Sequence, residues 1–172
     1  MSELTVRQAA RVIVVNPAAQ VFMIHVRDIY DPTRTWWETP GGGAELGEDP
    51  RRTAVRELAE ETGIECEPME LTGPLASHRA SITLSDGVHI QDEVFYGLLC
   101  SDDEDLDNAL RTDLEKKAIL ETAWLDLDAV VVGPEGTSAV GVMRPVAVGE
   151  LARLVVAGLV PDMPLRLRNG RL

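Results

Sequence analysis

The chain has few basic side chains, and this shortage excludes several kinds of partner. Its 16 Lys and Arg stand against 29 Asp and Glu, which leaves a net charge of −13 at pH 7. A surface with this balance repels polyanions, which argues against broad docking on a nucleic-acid polymer or an anionic membrane. A small phosphate ester is compatible with this charge if divalent cations intervene.

Cysteine is scarce, and a long apolar run is missing from the start of the sequence. Cys66 and Cys100 form no C-x-x-C pair and no metal-ligand spacing, so we expect two reduced thiols in a cytoplasmic protein. The first residues, MSELTVRQAARVIVV, carry an early acid and support neither a secretory signal nor a membrane-spanning helix. A calcium-binding loop of the type D-x-[DN]-x-[DN]-G is also missing.

The composition is that of one folded domain. The 172 residues are 45% hydrophobic and 26% charged, values typical of a globular protein and too apolar for a disordered one. Because this length matches about one domain of roughly 100 to 200 residues, we expect a single domain over residues 1–172.

Apolar runs and turn residues predict β structure on both sides of a central helix. RQAARVIVVN and QVFMIHVRD predict an antiparallel pair of strands, and residues 29–43 predict a long loop. HRASITL and IQDEVFYGLLC, which flank Ser85, Asp86 and Gly87, predict a hairpin. ETAWLDLD is a strand candidate, whereas the acidic run SDDEDLDNALRTD predicts a solvated loop.

Leu151, Leu154, Val155 and Leu159 recur at helical spacing near the C-terminus. This periodicity predicts a C-terminal helix that packs on the core.

The central helix is predicted by its ends and by the arrangement of its acids. Asp49 followed by Pro50 is a good helix start, and Gly63 supplies the stop. One arc of roughly 100° around the axis carries the acids Glu57, Glu60 and Glu61. The opposite side carries Val55, Leu58, Ala59 and Thr62.

Local electrostatics opposes this cluster of acids. Carboxylates at i, i+3 and i+4 repel each other by a few tenths of a kcal/mol per pair, and the C-terminal end of a helix dipole disfavours anions. A solvated acidic face partly neutralised by Arg51, Arg52 and Arg56 is one explanation. A site for divalent cations is the other.

A glycine run before the helix favours the cation site. Gly41, Gly42 and Gly43 allow the backbone to turn tightly and to approach a ligand closely. The segment as a whole has the form G-x5-E-x7-R-E-U-x-E-E-x-G-U, where U is a bulky apolar residue. Its places are filled by Gly42, Glu48, Arg56, Glu57, Leu58, Glu60, Glu61, Gly63 and Ile64. A chance match in a chain of this length is on the order of one in a million.

This segment resembles the signature of the Nudix hydrolases, and no place departs from it. Its flanks are similar too, with a two-strand start, WWETPGGG before the signature, EVFYGLL, and ETAWLDLDAV late in the chain. The resemblance implies an α/β fold, a Nudix-type α/β/α sandwich with a mixed β-sheet and the catalytic loop-helix motif. It also implies hydrolysis of the diphosphate linkage in a nucleoside diphosphate linked to another moiety, with Mg²⁺ or Mn²⁺ as cofactor.

The resemblance assigns roles to single residues. It implies metal binding by Glu57, Glu60 and Glu61 and by the carbonyl of Gly41. In some relatives the residue equivalent to Glu57 is proposed as the general base. Arg56 is expected to hold the carboxylates through charge-assisted hydrogen bonds, with Glu48 as a structural partner in the loop and helix.

The general base of this family often lies outside the signature. Glu115 and Glu121 are our candidates, each with the alternative of a plain surface acid. Asp92 and Glu93 are weaker candidates, because strand alternation points one of them outward.

Substrate contacts are expected outside the signature as well. Trp36 and Trp37 are candidates to stack on a base, with core packing as the alternative. Arg34, His78 and Arg79 are candidates to contact phosphates, although a lone histidine on a strand is often only a surface residue.

Two functions remain open from the sequence. The first is an active pyrophosphohydrolase of small nucleoside diphosphate derivatives, preferred over one acting on capped RNA because a basic track for a polymer is not evident. The alternative is a catalytically silent Nudix-like module that binds a nucleotide or regulates transcription, which would not need all three carboxylates. A homodimer is expected by analogy with relatives.

Overall fold

A computed structural model describes residues 6–84, 87–100, 112–133 and 137–172. Within these residues the strands are β1 Val6–Val15, β2 Gln20–Arg27, β3 Thr35–Glu38, β4 Gly41–Gly43, β5 Thr72–Leu84, β6 Gly87–Leu99, β7 Ile119–Asp126, β8 Met143–Arg144 and β9 Leu165–Leu167. The helices are α1 Pro50–Thr62, α2 Asp113–Ala118 and α3 Val148–Val156, and a short 3₁₀ turn covers Pro68–Glu70.

The described strands form one mixed sheet in the order β8-β3-β2-β1-β6-β5-β9, with β4 paired to β1 and β7 paired to β2. The central strand β1 runs parallel to β6 along its whole length and antiparallel to β2 and β4. On the side away from β6, its first half pairs with β4 and its end meets β2 at Val15 and Val21. The glycine strand β4 therefore lies within the sheet, directly beside β1.

The core lies on both faces of the sheet, because side chains of a strand alternate between them. Val12 and Val14 of β1 pack in the cluster that contains Leu58 of α1. Ile13 packs in the cluster that contains Leu151 of α3. The predicted α/β/α sandwich with a mixed sheet is confirmed.

Several local predictions are confirmed. β1 and β2 are antiparallel, β5 and β6 form the predicted hairpin, and β7 covers most of ETAWLDLD but begins two residues before it. Helix α1 starts and ends where its caps predict. Ser85 and Asp86 of the hairpin turn, and residues 101–111 of the acidic run, lie outside the described residues.

Two predictions are wrong. Residues 29–43 do not form one continuous loop, because β3 and β4 lie within them. Trp36 and Trp37 pack on opposite faces of the sheet, and backbone pairing with β2 and β1 orders this segment without any apolar run. The predicted C-terminal helix is confirmed as α3, which packs on the core through Leu151 and Val155. Its predicted extent is wrong, because it ends at Val156 and Leu159, which lies beyond it, is 57% exposed.

None of the helices within the described ranges is long and apolar enough to cross a membrane.

Candidate functional site

Helix α1 presents its acids to the glycine strand. The Asp49 side chain accepts a hydrogen bond from the Arg51 N–H at 2.9 Å, and Gly63 ends the helix with a φ of 78°. On the apolar side of the helix, Ala54 and Leu58 are buried. On its acidic side Glu57 and Glu61 are buried at 9% and 8% exposure, whereas Glu60 keeps 41% of its side chain exposed.

Gly42 allows α1 to lie this close to β4, and Gly41 allows β4 to lie close to β1. A Cβ placed on Gly42 would lie 2.5 Å from Oε2 of Glu57, and one on Gly41 would lie 2.3 Å from the carbonyl oxygen of Ala10. The Gly41 N–H donates a hydrogen bond of 2.8 Å to Oε2 of Glu61. Gly41 also has a φ of 140°, which side chains rarely allow. Gly42 is therefore required by space, and Gly41, just before the signature, by space and by backbone conformation.

Arg56 links the acids to the end of the glycine strand. Its Nε and Nη2 donate to the two carboxylate oxygens of Glu48 at 3.0 and 2.9 Å. Its Nη1 donates to Glu57 at 2.9 Å and to Glu60 at 3.2 Å, while Nη2 also donates to the Gly43 carbonyl at 3.0 Å. One planar guanidinium therefore fixes three carboxylates relative to β4.

Glu48 belongs to the scaffold of the loop and helix. It accepts hydrogen bonds from the Glu45 N–H at 3.0 Å and from the Thr53 hydroxyl at 2.9 Å. Hydrogen bonds from Arg56 are the main reason why the pKa of Glu48 falls to about 2. Glu48 is therefore a constant anion beside Arg56.

The ionisation of Glu61 is unfavourable in the folded chain. Burial is the main cause that raises its pKa to about 8, and the charges of Glu38 and Glu57 add to the rise. The Gly41 N–H and the Arg11 guanidinium act in the opposite direction but do not cancel it. A cation near Glu61 would stabilise its charged form.

The donor set fits a divalent metal ion of the type that the sequence predicts. Mg²⁺ and Mn²⁺ prefer hard oxygen ligands, which Glu57, Glu60 and Glu61 supply on one side of α1. No three His, Cys, Asp or Glu side chains of the described residues are already arranged as a metal site. Arg56 and the Gly41 N–H take oxygens of these acids instead. The residues fit the ion in chemistry, and their contacts would change when it binds.

A second charged cluster lies on the other side of the glycine strand, and the sequence analysis did not identify it. Arg11 of β1 donates to Glu93 at 2.9 Å and to the Thr39 carbonyl at 2.8 Å, and lies 3.9 Å from Glu38. Burial alone lowers the pKa of Arg11, but Glu38 and Glu93 outweigh it and leave that pKa raised. The signal available in the sequence is an arginine inside the apolar run AARVIVV.

Glu93 is held as an anion within this cluster. Burial alone would raise its pKa, but Arg11 and the hydrogen bond from His78 outweigh burial and lower the pKa to about 2. Asp92, its neighbour on β6, instead pairs with the exposed Arg79. The predicted strand alternation is confirmed, since Glu93 points to the covered side.

Trp37 lies in the core. It is 6% exposed, its ring stacks on His25 with 4.5 Å between ring centroids, and its Nε1 donates to the Val140 carbonyl at 3.2 Å. These contacts favour core packing, the alternative that the sequence left open, over stacking on a substrate base.

Trp36 has a more open position. Its Nε1 donates to Glu38 at 2.7 Å, and the Arg144 guanidinium lies 3.9 Å from its ring centroid. Arg144, which the sequence analysis did not single out, thus adds an exposed cation beside Trp36 and Glu38.

The three candidates for phosphate contact all have acidic partners. Arg34 lies 3.6 Å from Asp28. Arg79 donates twice to Asp92 at 2.6 Å. His78 is bound between Glu93 at 3.2 Å and the Gly170 N–H at 3.2 Å. Their contact with substrate stays a prediction.

The two candidate bases outside the signature differ in what the structure describes. Glu121 of β7 keeps 60% of its side chain exposed and lies 3.1 Å from Nδ1 of His25. Glu115 lies in α2, and its side chain is outside the described part of the chain. The choice of base stays a prediction.

Comparison with known proteins gives the family. A family model described as NUDIX domain matches residues 5–144. The chain is 39% identical over 71 residues to an RNA pyrophosphohydrolase of Roseobacter denitrificans, covering 41% of this chain and 42% of that protein. It is 70% identical over 33 residues to a methanol dehydrogenase activator of Bacillus methanolicus, covering 19% and 18%. The chain spans less than half the length of these two relatives.

Solved structures show the same fold. The solution structure of the E. coli ORF135 protein matches with a TM-score of 0.60 at 17% identity, covering 92% of this chain and 96% of that one. The crystal structure of a MutT NUDIX hydrolase from Burkholderia pseudomallei matches with a TM-score of 0.54 at 22% identity, covering 72% of this chain and 85% of that one. At these identities the likeness concerns the fold alone, and it confirms the predicted Nudix fold. Because the family model matches most of its length, this chain belongs to the NUDIX domain family, the Nudix hydrolases.

Proposed function

We propose that this protein hydrolyses the diphosphate linkage in a small nucleoside diphosphate derivative, with Mg²⁺ or Mn²⁺ as cofactor. One observation supports this above all: two buried carboxylates, Glu57 and Glu61, lie against the glycine strand with the half-exposed Glu60 beside them. Such a cluster is unfavourable by itself, and a divalent cation would stabilise it.

The residues that would hold the ion are Glu57, Glu60 and Glu61, together with the Gly41 carbonyl. When bound, the ion would supply charge neutralisation at the diphosphate and a bound water of lowered pKa. Arg56 keeps the helix acids in place relative to β4 through its hydrogen bonds.

A general base would accept the proton of the attacking water. Glu57, Glu115 and Glu121 are the candidates, and variants of each separate them.

The preference for a small substrate follows from charge. The net charge is −13, and the exposed Arg34 and Arg79 both lie beside acids. A polymer of phosphates would find little uncompensated positive charge at these residues. The RNA pyrophosphohydrolase among the relatives suggests the 5′ end of RNA as a second candidate substrate.

A substrate panel with and without added metal tests the proposal. The panel contains nucleoside triphosphates, nucleotide sugars, dinucleoside polyphosphates and a 5′-triphosphate RNA oligomer, with released phosphate measured after a coupling phosphatase. We expect turnover of a small nucleotide that chelation abolishes. Preferred turnover of the RNA oligomer would replace the small substrate by the second candidate.

A matched pair of variants tests the site itself. Glu61→Gln removes the buried charge, and we expect it to abolish turnover. Glu150→Gln changes an exposed acid on α3, and we expect this variant to keep its turnover. Nucleotide binding without turnover of any substrate would support the silent regulatory module instead. Unchanged turnover in Glu61→Gln would remove Glu61 from the site.

Three broader proposals accompany this function. We take residues 1–172 as one domain, in a cytoplasmic protein in which Cys66 and Cys100, both within the described residues, form no disulfide bond. A homodimer is proposed by analogy with relatives, and sedimentation velocity tests it.

A further inference from the structure

A buried arginine lies directly behind the glycine strand. Arg11 is the one charged residue in the apolar half of β1, and its side chain is 16% exposed. Its Cγ would be 2.7 Å from a Cβ on Gly41, so the two residues are in close contact across the β1–β4 pair. None of the functions discussed so far uses this side chain.

The contacts of Arg11 continue to the acidic face of α1. Its Nη1 donates to the carbonyl of Thr39 at 2.8 Å. The next carbonyl, of Pro40, accepts from the Val12 N–H at 2.9 Å. The N–H of Gly41 then donates to Glu61 at 2.8 Å. Three consecutive residues are thus held in turn by Arg11, by the backbone of β1 and by Glu61.

Thr39 itself is fully buried, and its hydroxyl has no hydrogen-bond partner among the described residues. Its carbonyl accepts a hydrogen bond from the charged donor of Arg11. Hydrogen bonds from charged donors contribute about twice as much as neutral ones.

We propose that Arg11 is a positioning residue for the hydrolytic site. By holding the Thr39 carbonyl, Arg11 fixes the position of the Gly41 backbone relative to the Glu61 carboxylate. It acts through the backbone of residues 39–41 and does not touch substrate. The inference rests on the proposed function, because it assumes that Glu61 and Gly41 belong to the metal site.

A purely structural role is the competing explanation. Glu93 keeps only 11% of its side chain exposed and pairs with Arg11 at 2.9 Å. Loss of the guanidinium would leave this carboxylate with only His78 and the Gln91 amide as partners, and an uncompensated buried charge destabilises a fold strongly. A single Arg11 variant would mix the two effects, so Glu93 has to be neutralised in the same chain.

The decisive comparison is between Glu93→Gln and the double variant Arg11→Met with Glu93→Gln. Both lack the Glu93 anion, so they differ in the guanidinium, in its bond to Thr39 and in its charge near Glu38 and Glu61. We expect the double variant to bind Mn²⁺ at least about tenfold more weakly than Glu93→Gln, the size of one lost hydrogen bond from a charged donor. Free Mn²⁺ is measured by electron paramagnetic resonance, and kcat on the best panel substrate should fall in parallel.

Amide hydrogen exchange gives a readout of position. The Gly41 N–H should exchange faster in the double variant, because the Gly41 backbone is no longer held in position for its hydrogen bond to Glu61. Amides of β7, which pairs with β2 and not with β1, should keep their protection. Thermal denaturation checks that both variants fold.

Each outcome decides one point. Equal Mn²⁺ affinity, kcat and Gly41 exchange in the two variants would overturn the positioning role and leave the proposed function standing. Wild-type protein that binds no Mn²⁺ and hydrolyses none of the panel would overturn the proposed function, and this inference with it. Partial recovery of Mn²⁺ binding in Arg11→Lys, which keeps one cationic donor, would support the bond to Thr39.

Discussion

Gly42 and Glu57 lie so close that no side chain fits between them. A Cβ on Gly42 would be 2.5 Å from Oε2 and 2.7 Å from Cδ of Glu57. The φ of Gly42 is not in the left-handed region, so it is space that excludes other residues here. Helix α1 can bring its carboxylates to the sheet because β4 has no side chains.

Gly42→Ala should therefore displace the Glu57 carboxylate without straining the backbone. Since a shift of about 1 Å in a reacting group costs on the order of 10²-fold in rate, we expect kcat to fall by about that factor. Gly133→Ala is the matched control, because among the described residues its added methyl would meet nothing closer than 3.8 Å. Equal turnover in both variants would show that Glu57 can move aside at no cost.

The raised pKa of Glu61 predicts how stability depends on pH in metal-free protein. The folded chain binds this proton up to about pH 8, and the unfolded chain only up to its ordinary value of 4.5. The contribution of Glu61 to the free energy of unfolding is therefore fully present below pH 4.5 and is lost as the pH rises through about 8. The loss should be on the order of a few kcal/mol.

Urea denaturation in the presence of a chelator, across this pH range, measures the effect. Glu61→Gln should lose less stability at high pH than wild type, whereas Glu150→Gln should follow wild type. Adding Mg²⁺ at high pH should restore stability to wild type and not to Glu61→Gln. A wild-type curve parallel to that of Glu61→Gln would mean that Glu61 ionises normally in the fold.

Trp37→Ala should destabilise the protein through lost packing. Deleting a buried aromatic ring of this kind costs about 3 to 5 kcal/mol, and Trp37 is buried and stacked on His25. Trp36→Ala should cost less, since Trp36 is only partly buried. Chemical denaturation gives the two free energies of unfolding. A small loss for Trp37→Ala together with a raised KM would return Trp37 to the substrate site.

Thr39→Val should leave the free energy of unfolding unchanged or raise it by about 1 kcal/mol. The Thr39 hydroxyl is buried with no partner among the described residues, and an unsatisfied buried polar group is costly. Valine keeps the shape and removes the hydroxyl, whereas Thr39→Ser keeps the hydroxyl and loses a methyl group. If Thr39→Val proved less stable than Thr39→Ser, the hydroxyl would have an important partner.

Local patterns predicted much of the fold. Apolar alternation and turn residues located β1, β2, the β5–β6 hairpin and β7. They did not locate β3 and β4, because a four-residue strand and a run of three glycines have no periodicity to detect. These strands exist because β2 and β1 offer them backbone partners.

The candidate site, like the fold, was predicted from the sequence only in part. Caps and helical periodicity placed Glu57, Glu60 and Glu61 on one side of α1, since those signals lie within a few residues of each other. The burial of Glu61 depends on β4, which is about twenty residues earlier in the chain. Which of two adjacent tryptophans enters the core likewise depends on how β3 pairs with its neighbours.

The sequence alone determined the helix with its acids, the glycine run before it and the resemblance to one family, because each is encoded by residues close together in the chain. Only the tertiary structure decided that Arg11 and Glu93, which are 82 residues apart, share a buried pair behind the glycine strand. Contacts between distant residues depend on strand pairing and on packing across the sheet, and no local pattern records them.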